Sequence, residues 1–295
     1  MALFGRSNED EKDSSDTMNQ QQQDARERYM QQQKTIEKRA RDIKHIIMVI
    51  SGKGGVGKST VAANLARALA RQGEAVGLLD ADLHGPNAAV MTGTDRERLQ
   101  AHGEQIVPAT GPDGMKVISI AMMLPERDSP TIWRGPLRGN MLRQFLADVE
   151  WGTLDYLIVD LPPGTGDEAL TIAQALPEGD GAIVVTTPQQ VSQDDCRKAI
   201  NFVHKVELPV IGVVENMSGF VCPHCGEKTA IFSEGGGEAM AQQMDVAYLG
   251  SLPLVPDVVA RSDQGKSVVD DDAPEAIRTA FETVVAAVKK GIGDR

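Results

Sequence analysis

The sequence predicts an α/β fold, with a mostly parallel sheet covered by helices on both faces. Three observations carry this. Short continuous apolar runs recur along the chain, as strands buried on both faces require. Segments with apolar residues at helical spacing separate them, the pattern of crossover units. Glycine-rich or acidic segments follow several of the runs, where ligands gather on such sheets.

Residues 1–42 stand apart. They carry glutamine runs at Gln20–Gln23 and Gln31–Gln33, many charges of both signs and few large apolar side chains. Such a segment buries too little surface to offset its chain entropy, so a flexible N-terminal arm is expected. The composition from Gln20 to Lys44 would suit a charged helix. Residues 43–295 read as one domain. Ile46–Ile50 is the first apolar run, and it ends in a glycine-rich loop. Val61, Leu65 and Leu69 then mark one face of a helix over Ser59–Arg71. Further strands are expected at Ala75–Leu79, Val117–Ala121, Tyr156–Val159, Ala182–Thr186 and Val210–Val214, with a weaker one at Ala247–Leu252. Helices are expected over Leu137–Val149 and Ala273–Lys290.

Composition limits the function classes. The chain has 295 residues, 30 basic and 42 acidic, for a formal charge of −12. Phosphate contact needs clustered Lys and Arg, so a nucleic-acid partner is not expected. Three cysteines exclude a disulfide scaffold. No apolar run reaches the roughly 18 residues of a membrane span. The N-terminus lacks a secretory apolar region. A cytoplasmic protein without a membrane partner is expected.

Gly52-Lys53-Gly54-Gly55-Val56-Gly57-Lys58-Ser59, followed by Thr60, matches G-x-x-x-x-G-K-S/T between a predicted strand and a predicted helix. Its glycines let successive N–H groups turn around a phosphate at a helix N-terminus. Lys58 is expected to reach the β- and γ-phosphates of ATP, and Ser59 to ligate Mg²⁺. Asp80 and Asp82 sit in LLDADLHGPN, and Asp160 in YLIVDLPPGTGDE. An acidic residue ending an apolar strand is a Walker B arrangement, so Asp160 is expected to hold Mg²⁺ directly or through water. Gly164–Asp167 reads as a switch loop sensing the γ-phosphate.

Cys222 and Cys225 form a C-x-x-C pair, and Cys196 is the only other cysteine. Zinc and iron–sulfur centres both need about four ligands. Two chains meeting on a twofold axis would supply them. His224 reads as solvent-facing, Cys196 as a buried bystander. A redox dithiol is a weaker reading, because the pair does not open a helix.

The run KGGVGKST with DADLHGPN, WRGP (133–136), WGTLDYLIVDLPPGTGDE and TTPQQVSQDD resembles the Mrp/ApbC branch of iron–sulfur cluster carrier ATPases, relatives of MinD/ParA and the nitrogenase iron protein. The similarity covers about residues 44–292. It implies a P-loop NTPase that hydrolyses ATP to ADP and phosphate as a homodimer. It also implies that Lys53 reaches the partner's nucleotide, in the manner of an arginine finger. By the same resemblance Asp82 orients the attacking water, Asp80 lies near the waters of Mg²⁺ and Asn216 reads adenine. The loop from Pro253 to Pro256 would close over the base. Cys222 and Cys225 would bind a bridging 4Fe–4S cluster, taken from a cluster donor and passed to apo iron–sulfur proteins. Some relatives carry a cysteine-rich N-terminal extension; here no cysteine precedes Cys196, so only the bridging site is supported. The alternatives are a MinD/ParA-like positioning ATPase and a zinc-bridged dimeric ATPase.

Overall fold

The first apolar run lies within the central strand of an eight-stranded sheet. The computed structural model describes residues 7–83, 85–103, 105–123, 135–222 and 224–293. His84, Trp133, Arg134 and Pro223, each part of a motif above, lie outside them. The first half of the chain runs α1 (Ser7–Ala40), β1 (Ile43–Ser51), α2 (Lys58–Arg71), β2 (Val76–Asp80) and α3 (Ala88–Met91). There follow a hairpin of β3 (Gln100–His102) and β4 (Gln105–Val107), then β5 (Ala109–Thr110), β6 (Lys116–Ser119), α4 (Gly135–Asp148) and β7 (Leu154–Asp160). The second half runs α5 (Asp167–Ala175), β8 (Gly181–Thr186), α6 (Gln190–Lys205) and β9 (Val210–Glu215). A second hairpin pairs β10 (Phe220–Val221) with β11 (Lys228–Thr229), and α7 (Gly236–Gln243), β12 (Tyr248–Ser251), α8 (Pro256–Asp263) and α9 (Glu275–Ile292) complete the chain.

The sheet order is β12-β9-β8-β1-β7-β2-β6-β5. All neighbours are parallel except β5, which runs against β6. Alternation along β1 sets the layers. Ile46, Met48 and Ile50 join the core shared with α4, α5, α6 and α7. Ile47 and Val49 face the core shared with α2 and α9. Both faces are covered, which is why the strands read as unbroken apolar runs. Strand order reverses at β1, with β7 on one side and β8 on the other, and its carboxyl end is the crevice where ligands bind in such sheets.

The expected stripe on α9 is used inside the molecule: Ile277, Phe281, Val284, Val285 and Val288 are buried. The N-terminal segment differs from a simple flexible arm. It is helical from Ser7, and its last third is packed. Ile36 is buried in the core. The Gln33 amide donates to the Ala175 carbonyl at the end of α5, and the Arg39 guanidinium donates to the Ala147 carbonyl in α4. Arg143 of α4 is buried beneath this helix, donating to Gln32 and Gln33 at 3.0 Å each, 4.0 Å from the Tyr29 ring centre. Averaged composition hid these few anchors among exposed polar residues.

Candidate nucleotide and thiol sites

The chain leaves β1 at Ser51, whose hydroxyl donates to the Lys53 carbonyl at 2.9 Å. It then coils through residues 52–57 into α2. Gly57 has φ 84°, a left-handed conformation that glycine adopts without strain. A side chain there would strike the Asn216 amide, and one at Gly52 would strike the backbone of Asp195 and Cys196 in α6. The loop is thus held between two neighbouring segments. Lys53, Gly54, Gly55, Gly57, Lys58, Ser59 and Thr60, with Asp82, line a cleft of about 180 Å³, while the Val56 side chain is buried. A larger cavity, about 850 Å³, lies between α5 and α6. The smaller cleft is the candidate nucleotide site, because the loop, both of its lysines and Asp82 converge on it.

β2 and β7 lie in register, so Asp80 and Asp160 stand side by side at adjacent strand ends. Both are fully buried. Lys58 Nζ lies 2.6 Å from Asp160 Oδ1, 3.7 Å from Asp82 Oδ2 and 3.3 Å from the Ser59 hydroxyl. Burial raises the Asp160 carboxyl above its usual range, and the Lys58 charge opposes this. Burial, reinforced by the Asp160 charge, pushes Asp80 up to about 7. Asp160 Oδ2 is buried without a hydrogen-bond partner among the described residues. An open acceptor beside Ser59 and Lys58 fits a hydrated divalent cation. Asp80 is differently placed. Oδ1 accepts from the Asp82 N–H at 3.1 Å, and Oδ2 accepts from Ala88 N–H and the Ser119 hydroxyl at 3.1 and 3.0 Å. Its oxygens are spent on shaping the loop that carries Asp82.

Two further segments meet the loop. Gly164 N–H, in the expected switch loop, donates to the Ser51 carbonyl at 2.8 Å. The Asn216 amide donates to the Val56 carbonyl at 2.9 Å. The Pro253–Pro256 loop runs beside residues 218–221: Ser218 N–H donates to Leu252, and Leu254 N–H donates to Gly219.

Cys222 and Cys225 sit in the turn of the β10–β11 hairpin. The turn is closed by Gly226 N–H to the Cys222 carbonyl at 2.9 Å and Cys222 N–H to the Glu227 carbonyl at 3.0 Å. Cys225 and His224 are exposed, Cys222 half-buried. Hydrogen bonds from the Cys225 and His224 N–H groups and the Cys225 thiol hold the Cys222 thiol below its usual range, favouring the thiolate that binds metals. Cys196 is buried in α6, and burial pushes its thiol up. Among the described residues no group of three His, Cys, Asp or Glu is placed to hold a metal ion.

A residue the sequence reading passed over lies between the two regions. Glu215, fully buried at the end of β9, accepts from the Ser218 hydroxyl at 2.6 Å, from Gly235 N–H at 3.1 Å and from Gly237 N–H. Its only sequence signal was an acidic residue ending an apolar run.

A doubly covered parallel sheet whose central strand feeds a two-lysine phosphate loop, with acidic residues on the neighbouring strand ends, defines a P-loop NTPase. The NUBPL iron-transfer P-loop NTPase family of the ParA group matches residues 42–289, and the chain belongs to that family. The chain is 47% identical over 270 residues to the iron-sulfur cluster carrier protein of Methanocaldococcus jannaschii, covering 90% of this chain and 92% of that one. It is 50% identical over 234 residues to the cytosolic Fe-S cluster assembly factor NUBP2 homolog of Nematostella vectensis, covering 78% and 87%. The nucleotide-binding protein of Archaeoglobus fulgidus in complex with ADP superimposes with a TM-score of 0.73 at 38% identity, covering 84% of this chain and 96% of that one.

Proposed function

We propose that this chain is an ATP-hydrolysing carrier that binds a bridging 4Fe–4S cluster as a homodimer and hands it to apo iron–sulfur proteins in the cytoplasm. The observation that carries the reading is half of a metal site. Two thiols, one of them acidified, stand on an exposed hairpin with no third ligand among the described residues. A second copy across a twofold axis completes a set of four. The names of the relatives support iron–sulfur cargo over zinc. The packed apolar stripe of α9 leaves that helix no free face of the kind a positioning ATPase would lay on a membrane.

In the nucleotide cleft, loop N–H groups and Lys58 would bind the phosphates, and the partner subunit's Lys53 would add positive charge at the γ-phosphate. Ser59 and Asp160 would hold Mg²⁺, which supplies neutralisation of charge on the β- and γ-oxygens. Asp82, at the cleft wall, would orient the attacking water. Asp80 fixes the Asp82 loop.

Anaerobic reconstitution tests this. About four irons and four sulfides per two chains are expected, in a species of twice the chain mass. Cys222→Ser with Cys225→Ser should remove the iron and leave ATP turnover unchanged. Stoichiometric zinc in a colourless protein, or a holo species of single-chain mass, would overturn the reading.

A further inference from the structure

We infer that Glu215 is a positioning residue that couples the nucleotide loop to the thiol hairpin; this rests on the reading that the cleft takes ATP and the hairpin takes the cargo. Residues 219–234 form an excursion that leaves the sheet after β9, carries Cys222 and Cys225, and returns at α7. The Glu215 carboxylate holds both ends of it. Ser218 at the exit donates a hydroxyl, while Gly235 and Gly237 at the return donate N–H groups. Such a buried carboxylate is costly unless every donor is in place, so at its base the exit and the return are tied to each other through this group, in addition to the β10–β11 pairing further out.

The other side of the junction reaches the phosphate loop. Asn216 follows Glu215 directly, and its amide holds the Val56 carbonyl. Met217 next to it has φ 59°, which turns the chain sharply toward Ser218. The return is equally tight. A side chain at Gly237 would meet Glu215 and Thr186, and one at Gly236 would meet Gln193 and the Pro188 carbonyl. Gln193 lies in α6, whose Asp195 and Cys196 abut Gly52. The excursion is thus wedged between two segments that each touch the nucleotide loop, one at Val56 and one at Gly52. A shift of that loop on binding triphosphate has two packed routes to the hairpin base, and both converge on Glu215. Close-packed contacts of this kind pass small shifts between discrete arrangements rather than absorbing them.

The test uses iron-free full-length protein and a thiol reagent. Cys222 and Cys225 should react faster than buried Cys196, so labelling rates report on the hairpin. In the wild type, a saturating non-hydrolysable ATP analogue with magnesium should change the rate about fivefold or more. Glu215→Gln keeps the shape but turns an amide N–H₂ toward a donor. It should bind the analogue within about twofold of wild type and melt cooperatively, yet show a rate ratio near one. Ser218→Ala removes one donor only and should show an intermediate ratio. Wild-type thiols indifferent to nucleotide overturn the inference, as does a full response in Glu215→Gln or in Ser218→Ala. A full response in Glu215→Gln would mean that simple pairing of two copies shields the thiols. The labelling needs no iron, so failure of the cluster reading in the iron and sulfide assay is distinguishable from failure of this coupling.

Discussion

Single side chains at the end of β9 serve more than one neighbour. Tyr248 on β12 packs beside this strand end. Burial first, and the negative charge of Glu215 second, push its phenol up to about 12. The sign follows from linkage. A group raised in the folded state favours folding while it stays protonated. That contribution is complete below the unfolded value near 10 and is lost as pH rises through about 12. Tyr248 should therefore ionise late in an absorbance titration, and Tyr248→Phe should remove its contribution to the late part of the curve. A late part of the curve unchanged by Tyr248→Phe would contradict the account. At this scale the clustering of several candidate residues was legible. Lys58, Ser59, Asp82 and Asp160 are local to strand ends and meet as the motif spacing implied. Asp80 was only half legible: its position could be read, but its commitment to Ala88 and Ser119 could not. Glu215 was hidden because its partners lie up to 22 residues downstream.

Most strands of the sheet core and the helices α2, α4 and α9 are legible in the sequence, whereas α5, α6, α7 and the shortest strands are not. The strands of the sheet core and the α2 and α9 stripes follow from periodicity. The two-residue strands β10 and β11, which carry the thiol turn, are too short to leave any. The N-terminal helix shows the opposite failure, since bulk polarity concealed a docking end. Ile36, 1% exposed, is the anchor. Ile36→Ala should cost about 2–5 kcal/mol in a denaturant melt, as for other buried isoleucines. Deleting residues 1–22, which lie before the anchors, should change stability by less than about 0.5 kcal/mol. A reversed order of these two effects would show that the helix docks elsewhere.

At the scale of the whole molecule, charge opposes the proposed pairing. Each chain carries −12, so two copies brought together repel. Salt screens that repulsion, with a Debye length falling from roughly 30 Å at 0.01 M to about 8 Å at 0.15 M. Sedimentation of the cluster-free protein should show the dimer strengthening as salt is raised across this range. Weakening instead would mean that opposite charges dominate the contact. The sheet's two margins carry a separate consequence. One ends in β5, two residues long and of reversed polarity. The other ends in β12, four residues long with a register slip between Tyr248 and Gly250. Among the described residues, neither margin offers a long flat stretch of backbone on which another polypeptide could extend the array. Copies of the chain that meet at high concentration are thereby denied an edge on which to stack strand upon strand.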